Sequence, residues 1–418
     1  MIWLADLALI ALVLVADRRL TGRSYTPLGL FTVCWLGPLA LRHLGLVDYE
    51  LMRPSIALAV YGGFLCFCVG YAIVITAVAP RLRPLDDRAL TSRLRPGALT
   101  AACVIATAGG LAATVVQTMS VISQFGLIGF LVNPLEVREE FSLSGWGALY
   151  LFNTLVPGLL VLRHRAQNGR VDKLAVVLGL AAVVSLVLAN QKQALVKAVV
   201  MAAAVATLWD GRVRFRSVAL AALTVLLFFV AYARVTSPYY HGDHRFYVRD
   251  GHIRLPAVLA PLGNPYQYLA AGFANLQVLA DDLEYRTDGK QTLRPLRYLW
   301  IRAQGSHEIE SHHGRYYYAP LFGNTHTYLR PYVSDGGVSV ALLASALIGM
   351  GVAWLYLEII CKGRIWLAPA YGVAGWCLFI SFFSNHWTYF ASLLLFAIAA
   401  CFGMLTAARP AREAAHGA

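Results

Sequence analysis

Long apolar stretches constrain this chain more than any other feature of its sequence. Each is close to the roughly 20 residues that a helix needs to cross a bilayer. We count eleven, at about 2–17, 26–46, 55–78, 97–119, 146–162, 174–190, 194–209, 217–235, 337–360, 366–384 and 388–407. Only 14% of the residues are charged and the mean hydropathy is +0.60, which excludes a soluble domain. The sequence predicts an all-α integral membrane protein with about eleven transmembrane helices, and the short pair at 174–190 and 194–209 leaves that count open by one or two.

The basic residues of the loops predict the orientation of these helices. One set of alternate loops and the C-terminal tail carry 19 Lys/Arg, whereas the short loops on the other side carry five: Arg42, Arg53, Arg138, Lys192 and Lys197. Cytoplasmic loops are enriched in Lys and Arg, so we expect the N-terminus outside and the C-terminus in the cytoplasm. The formal charge of +13 follows mostly from this asymmetry. It therefore predicts contact with membrane lipids and no nucleic-acid partner.

Two polar segments interrupt the single polytopic domain predicted for residues 1–418. The larger, 236–335, lies between the eighth and ninth stretches, on the predicted periplasmic side, and holds seven of the eleven histidines. Within it, Asn264-Pro265 predicts the start of a helix that runs to about Leu283, with an apolar stripe expected at the outer membrane–water boundary. The smaller segment, 121–147, predicts a periplasmic re-entrant or interfacial element because its apolar part is too short to span.

The end of the large segment carries a recognisable pattern. Gly323-Asn324-x-x-Thr327 is followed by Tyr332-x-x-Asp335-x-Gly337 at the entrance to the ninth apolar stretch. This pattern resembles the signature of the bacterial oligosaccharide repeat-unit polymerases, the Wzy-type or O-antigen polymerase family, although the Tyr-to-Asp spacing is one residue longer than in the usual form. Asn133 with Arg138, and the basic residue Lys192 between two spans, resemble other features of that family.

The resemblance implies a GT-C-like membrane glycosyltransferase of the bacterial inner membrane, with a periplasmic active site and one large periplasmic loop. Its substrates would be polyprenyl-diphosphate-linked oligosaccharide repeat units, joined into O-antigen, capsule or exopolysaccharide. It implies neither a cofactor nor a metal ion. A chain-length-regulating co-polymerase would be a possible partner.

The candidate site residues follow from that chemistry. Fixed cations can stabilise the charge that develops on the leaving diphosphate, and the external candidates are Arg138, Lys192, Arg286 and Arg330. The acceptor hydroxyl needs a proton acceptor, for which the signature offers Asp335 or His326. The predicted glycan-binding residues are Asn324, Thr327, Tyr328, Tyr332 and Trp300.

Structural roles are open for several of these residues. Arg138 has Glu136, Glu139 and Glu140 as nearby partners, and Lys192 is placed as an ordinary snorkelling lysine. Asp335, just before two glycines, is equally a turn residue and helix N-cap.

Two other functions also stay open. A ligase that moves finished glycan from the same lipid carrier shares the long external loop. A transporter or flippase would carry ionisable residues within the spans, and here only Asp6 and Lys197, near span ends, meet that description.

Overall fold

The computed structural model describes residues 2–78, 84–132, 149–188, 192–209, 253–281, 287–304, 317–318, 322–323 and 325–408. These residues form thirteen α-helices, with two-residue strands β1 (Tyr317–Tyr318) and β2 (Phe322–Gly323) paired antiparallel. The helices are α1 Ile2–Thr21, α2 Pro27–His43, α3 Pro54–Val78, α4 Asp87–Thr91, α5 Pro96–Val132, α6 Leu151–Ala166, α7 Lys173–Leu188, α8 Lys192–Ala206, α9 Gly263–Asp281, α10 Arg294–Ala303, α11 Arg330–Ile360, α12 Ala368–Phe379 and α13 Phe390–Thr406.

Within the described residues, four helical segments are long and apolar enough to cross a membrane: Pro54–Val78, Pro96–Leu127, Arg330–Ile360 and Ile365–Phe382. Three shorter apolar helices are Lys173–Leu188, Gln193–Ala206 and Phe390–Thr406. This content confirms the predicted class, a helical membrane protein. The stretch predicted at about 217–235 and most of the segment 121–147 lie outside the described residues.

The chain groups into two compact units. The first comprises Met1–Val78, Arg214–Trp354 and Cys377–Leu393, and the second comprises Ala79–Val213, Leu355–Trp376 and Leu394–Ala418.

An aromatic cluster forms the core of the first unit. Phe31 stacks on Phe67 with ring centroids 4.0 Å apart, and Trp35 meets the edges of Phe273 and Tyr328 at 5.0 and 4.9 Å. All five side chains are buried. Aromatic pairs in these geometries contribute about 0.5–1.5 kcal/mol each beyond their buried area. The cluster therefore fixes α2, α3, α9 and residue Tyr328 against one another.

Glycines let α3 and α11 approach closely within the same unit. A Cβ atom on Gly70 would lie 2.2 Å from the Ala346 carbonyl oxygen, and one on Gly349 would lie 2.3 Å from the Phe67 carbonyl oxygen. Small residues at such crossings allow the two backbones to pack directly, as is common between membrane helices.

Polar groups join the helices of the second unit. Thr114 Oγ1 on α5 lies 2.6 Å from Ser185 Oγ on α7, and Asn153 on α6 donates to the same serine. These hydrogen bonds give partners to both hydroxyls and to the Asn153 amide nitrogen, whereas Asn153 Oδ1 is buried without one.

The helix predicted from Asn264 to about Leu283 is present as α9, but its environment differs from the prediction. Gly272, Phe273, Leu276 and Leu279 are buried, and α9 packs against α2 rather than exposing an apolar stripe to the membrane boundary. A Cβ atom on Gly272 would lie 2.4 Å from the Phe382 carbonyl oxygen. The 3–4 residue spacing predicts which face is apolar, but it contains no information about what covers that face.

Candidate functional site

Residues 325–329, here called the strap, form the centre of the predicted signature. The backbone N–H groups of His326 and Tyr328 donate to the carbonyl oxygens of Phe383 and Ser381 at 3.1 and 2.7 Å. Asn275 Nδ2 donates to the Thr325 carbonyl at 2.8 Å, and Asn385 Nδ2 donates to the Tyr328 carbonyl at 2.6 Å. The strap is therefore held between α9 and the turn that follows α12. Both asparagine side chains donate to its backbone carbonyl groups.

Burial changes the interpretation of three predicted glycan-binding residues. Thr327, Tyr328 and Tyr332 are buried, and the Tyr328 hydroxyl lies 2.7 Å from Ser345 Oγ within the aromatic core. A ring enclosed by protein has no free face for a pyranose. The prediction that Tyr328 and Tyr332 stack on sugar rings is corrected here: both side chains pack the interior of the first unit. His326, the alternative proton acceptor, is buried in the same strap.

Asp335 lies where α11 is interrupted. Gly336 and Gly337 depart from helical geometry, and Gly337 has φ of +71°, a conformation that favours glycine. The Asp335 carboxylate accepts hydrogen bonds from Thr287 Oγ1, from the Gln291 N–H at 3.2 Å and from the Thr292 N–H. Asp335 therefore holds the loop 287–292 rather than capping the N-terminus of the apolar helix. An ionised carboxylate offers about four acceptor positions, so three are already in use.

The loop held by Asp335 leads directly into α10. Leu296, Leu299 and Trp300 are exposed along one face of this helix, with Trp300 66% exposed. Arg297 lies on a neighbouring face and Arg294 on the opposite one, and Arg330 begins α11 half-buried. Of the predicted aromatic contacts, Trp300 thus keeps an accessible ring. The helix that carries this exposed indole therefore follows directly from the loop that Asp335 holds at the start of α11.

Of the four remaining predicted site residues, the described part of the chain includes only Lys192. Lys192 is the first residue of α8. Arg138, Arg286 and Asn324 lie outside the described residues. In the part of the chain that the structure describes, no three His, Cys, Asp or Glu side chains are close enough to hold a metal ion together.

A second polar cluster, which the sequence indicates only through Asp6, lies at the end of α2. His43 Nδ1 is 2.7 Å from Asp6 Oδ2, and the Tyr61 hydroxyl donates to Asp6 Oδ1 at 2.9 Å. Asp6 is buried although it belongs to the first apolar helix. Tyr61 lies in a π-helical turn, Leu58–Gly62, a distortion that is frequent at functional sites. A carboxylate within an apolar stretch is the sequence signal that could have drawn attention to this cluster.

Arg42, next to His43, extends this cluster. Its Nη2 donates to the Glu50 carbonyl at 2.6 Å, and its guanidinium lies 5.5 Å from the centre of the Tyr49 ring. Burial raises the pKa of the Tyr49 phenol above its usual range and that of Tyr266 to about 12, so both remain neutral donors at physiological pH. A cation, two phenols and an oriented imidazole are thus gathered around one helix end.

No protein-family model, curated protein or solved structure matches this chain.

Proposed function

We propose that the protein is a membrane glycosyltransferase that polymerises polyprenyl-diphosphate-linked oligosaccharide repeat units at the periplasmic face of the bacterial inner membrane. In this proposal about eleven helices span the membrane, the N-terminus is outside and the C-terminus is cytoplasmic. Residues 236–335 form the periplasmic loop that covers the site. The resemblance of 323–337 to the polymerase signature and the charge asymmetry of the loops support this assignment.

One observation carries the proposal further than the sequence pattern does. Through Asp335, the entrance of the apolar helix α11 holds the loop that begins α10, with its arginines and its exposed Trp300. A lipid-linked sugar presents its diphosphate and first pyranose at the membrane surface. Arginines suit the diphosphate and an exposed indole suits a sugar ring. Asp335 thus ties the helix that carries the exposed Trp300 to the start of an apolar helix, which places a candidate sugar-binding ring next in sequence to the signature.

The proposed reaction needs three contributions from the chain. The acceptor hydroxyl attacks the anomeric carbon of the donor sugar, and the bond to the diphosphate oxygen breaks. Cations stabilise the negative charge that accumulates on the departing diphosphate, which in a site shielded from water counts for several kcal/mol. A carboxylate or imidazole accepts the proton of the hydroxyl, and Asp335 is the candidate with an acceptor position still available.

The first experiment is a gel of surface and lipid-linked glycans. A strain that lacks the gene would be complemented with wild type, with Arg138→Ala, Lys192→Ala or Asp335→Ala, and with Arg254→Ala as a control. Arg254 is 63% exposed in a surface ion pair with Asp48. We expect the polymer ladder to collapse to a single repeat unit in the deletion strain, and only wild type and the control to restore it. Polymer that accumulates on its lipid carrier would indicate a ligase instead.

Asp335→Asn separates the two roles of this carboxylate. In this variant the carbonyl oxygen still accepts from one of the two backbone N–H groups of loop 287–292, the amide nitrogen replaces the oxygen that accepted from the other, and the side chain cannot take a proton. If Asp335 is the base, Asp335→Asn is as inactive as Asp335→Ala. A variant that retains most of the ladder would show that Asp335 only holds the loop.

A proton-coupled transporter is the second candidate, and the Asp6–His43 pair is the observation that favours it. Ionisable groups buried within apolar helices often belong to proton or substrate pathways. A transporter would leave the ladder unchanged in the deletion strain, while uptake or export of its substrate would depend on Asp6.

A further inference from the structure

Arg42 is a buried cation without an anionic partner among the residues that the structure describes. It is 5% exposed, close to the C-terminus of α2. Its hydrogen-bonding contacts are the Glu50 carbonyl and His43 Nε2, the latter at 3.5 Å, and its Nε is buried without a hydrogen-bond partner. Burying a charge is costly unless a counter-charge and hydrogen bonds compensate for it. A guanidinium kept in this environment therefore indicates a missing anion.

Other donors around Arg42 point to the same conclusion. The Tyr49 hydroxyl, on the loop that covers the guanidinium, is also buried without a hydrogen-bond partner. Asp6 holds the imidazole of His43 through Nδ1, which leaves Nε2 directed toward Arg42. An anion at this position would therefore meet the Arg42 Nε–H and the Tyr49 O–H, beside the imidazole of His43.

The surroundings of Arg42 indicate an amphiphilic anion rather than a soluble one. Leu44 is exposed directly after α2, and Leu51 is 84% exposed at the end of the same loop. In a membrane protein such residues are suited to contact acyl or isoprenoid chains. Since the planar fork of arginine matches phosphate oxygens, a lipid that carries a phosphate or diphosphate fits both parts of this surface.

We propose that the end of α2 binds a phosphate-ester anion through Arg42, Tyr49 and His43, and that this anion is the diphosphate of the lipid-linked donor. The second half of the statement rests on the proposed glycosyltransferase function, whereas the first half does not. Because Arg42 is covered, the ligand reaches it when the loop 44–50 moves aside, and the ligand then supplies the counter-charge that Arg42 lacks in this structure.

Binding to the purified, full-length protein in nanodiscs tests the site directly. The probes are inorganic diphosphate, farnesyl diphosphate and phosphatidylglycerol, and the measurements are calorimetric affinity and native mass spectrometry. The variants are Arg42→Gln and Arg42→Lys, with Arg170→Gln, an exposed arginine of the second unit, as the matched control. We expect wild type and the control to bind farnesyl diphosphate alike. Hydrogen bonds to charged groups predict about a tenfold to hundredfold loss of affinity in Arg42→Gln and a smaller loss in Arg42→Lys.

Each outcome bears on the proposal. Equal affinity in wild type and Arg42→Gln would overturn it and leave Arg42 as a structural residue. Binding of phosphatidylglycerol that depends on Arg42, without binding of farnesyl diphosphate, would keep the anion site but reject the diphosphate. If Arg42→Gln does not fold, Arg42→Lys decides, because it keeps the charge but not the planar fork.

Failure of the proposed function can be recognised separately. If deletion of the gene leaves the glycan ladder unchanged while binding still depends on Arg42, the anion site stands and the polymerase does not. If the glycan ladder depends on the gene but the affinity for farnesyl diphosphate is the same with and without Arg42, the anion site is rejected and the polymerase function stands.

Discussion

Arg42 and Arg163 are buried to nearly the same degree, 5% and 3% exposed, and lie near the C-terminal ends of their helices in the two different units. Their partners differ completely. Arg163 forms a two-pronged ion pair with Asp172, with Nη1 to Oδ1 at 2.9 Å, and its Nε donates to Thr100 Oγ1 at 2.9 Å. Arg42 has a carbonyl, an imidazole and the Tyr49 ring. Arg163 thus has a carboxylate as counter-charge in its unit, whereas Arg42, buried to a similar depth, has none among the described residues.

The comparison shows how to separate structural from functional arginines in a protein of this kind. Arg163 and Asp172 are nine residues apart, and Asp172 also accepts from the Ala175 N–H at 2.8 Å, so it caps the start of α7. This pair stabilises a local helix connection. The contacts of Arg42 with His43, Tyr49 and Glu50 are local too, but among the described residues they include no carboxylate, and they leave donors unsatisfied. Unsatisfied buried groups are unusual in native proteins, and a functional role is one of their ordinary explanations.

The largest expected effect is on activity. Arg42→Gln should lower polymer formation by about a hundredfold or more, because a fixed cation at a departing diphosphate stabilises the charge of the transition state. Arg163→Gln should leave polymer formation per folded molecule within about twofold, since its interactions are internal. Ladder intensity, normalised to the protein recovered in membranes, measures both. Equal losses in the two variants would remove the distinction between these arginines.

The second-largest expected effect is on the affinity for farnesyl diphosphate, and it follows from replacing Asp6, which orients His43. Asp6→Asn should weaken the binding of farnesyl diphosphate about tenfold, because His43 loses the charged acceptor that holds its ring. Thr100→Ala, which removes a hydrogen-bond partner of Arg163, should not change this binding. Calorimetry on both variants measures the affinities. Unchanged affinity in Asp6→Asn would show that His43 does not depend on Asp6 for binding.

The effect on thermal stability is smaller. It should be larger in Arg163→Gln than in Arg42→Gln, which is the reverse of the order expected for activity. Arg163→Gln should lower the Tm of the solubilised protein by about 3 °C, since it breaks a two-pronged ion pair that is partly exposed to solvent. Arg170→Gln, an exposed residue of the same connection, serves as the control and should not change Tm. A Tm that falls more in Arg42→Gln than in Arg163→Gln would reverse the comparison.

The smallest expected effect is a dependence on pH. The hydrogen bonds from Arg163 and from the Ala175 N–H lower the pKa of Asp172 to about 2, compared with about 3.9 in an unfolded chain. The pair therefore contributes its full stability above about pH 4, and this contribution is lost as the pH falls toward 2. The Tm difference between wild type and Arg163→Gln should be constant near neutral pH and shrink below about pH 4. Because Asp172 is exposed, added salt should reduce the difference as well.

Local sequence features predicted several elements well. Asn264-Pro265 and the spacing of apolar residues predicted a helix that the structure shows as Gly263–Asp281. The two glycines after Asp335 predicted a turn, and Gly337 adopts the positive φ that such a turn requires. These predictions succeeded because capping, turn geometry and hydrophobic spacing act over a few residues.

Non-local contacts explain what the sequence did not predict. Asp6 meets partners 37 and 55 residues away, and the hydroxyl of Tyr328 meets Ser345 in the core rather than a sugar. Nothing in the spacing of tyrosines separates a buried ring from an exposed one. The same limit applies to Asp335, whose donors on residues 287–292 are more than 40 positions away.

The sequence by itself determined that this is a helical membrane protein, because long apolar runs must satisfy their backbone hydrogen bonds internally within lipid. It also identified the polar segment that ends in the signature and the turn at Gly336–Gly337. Only the tertiary structure decided which charged side chains have partners. Glu50 and Asp172 lie eight and nine positions after Arg42 and Arg163, so sequence spacing does not separate the two arginines. The fold turns the Asp172 carboxylate toward Arg163, whereas it turns the Glu50 backbone carbonyl toward Arg42.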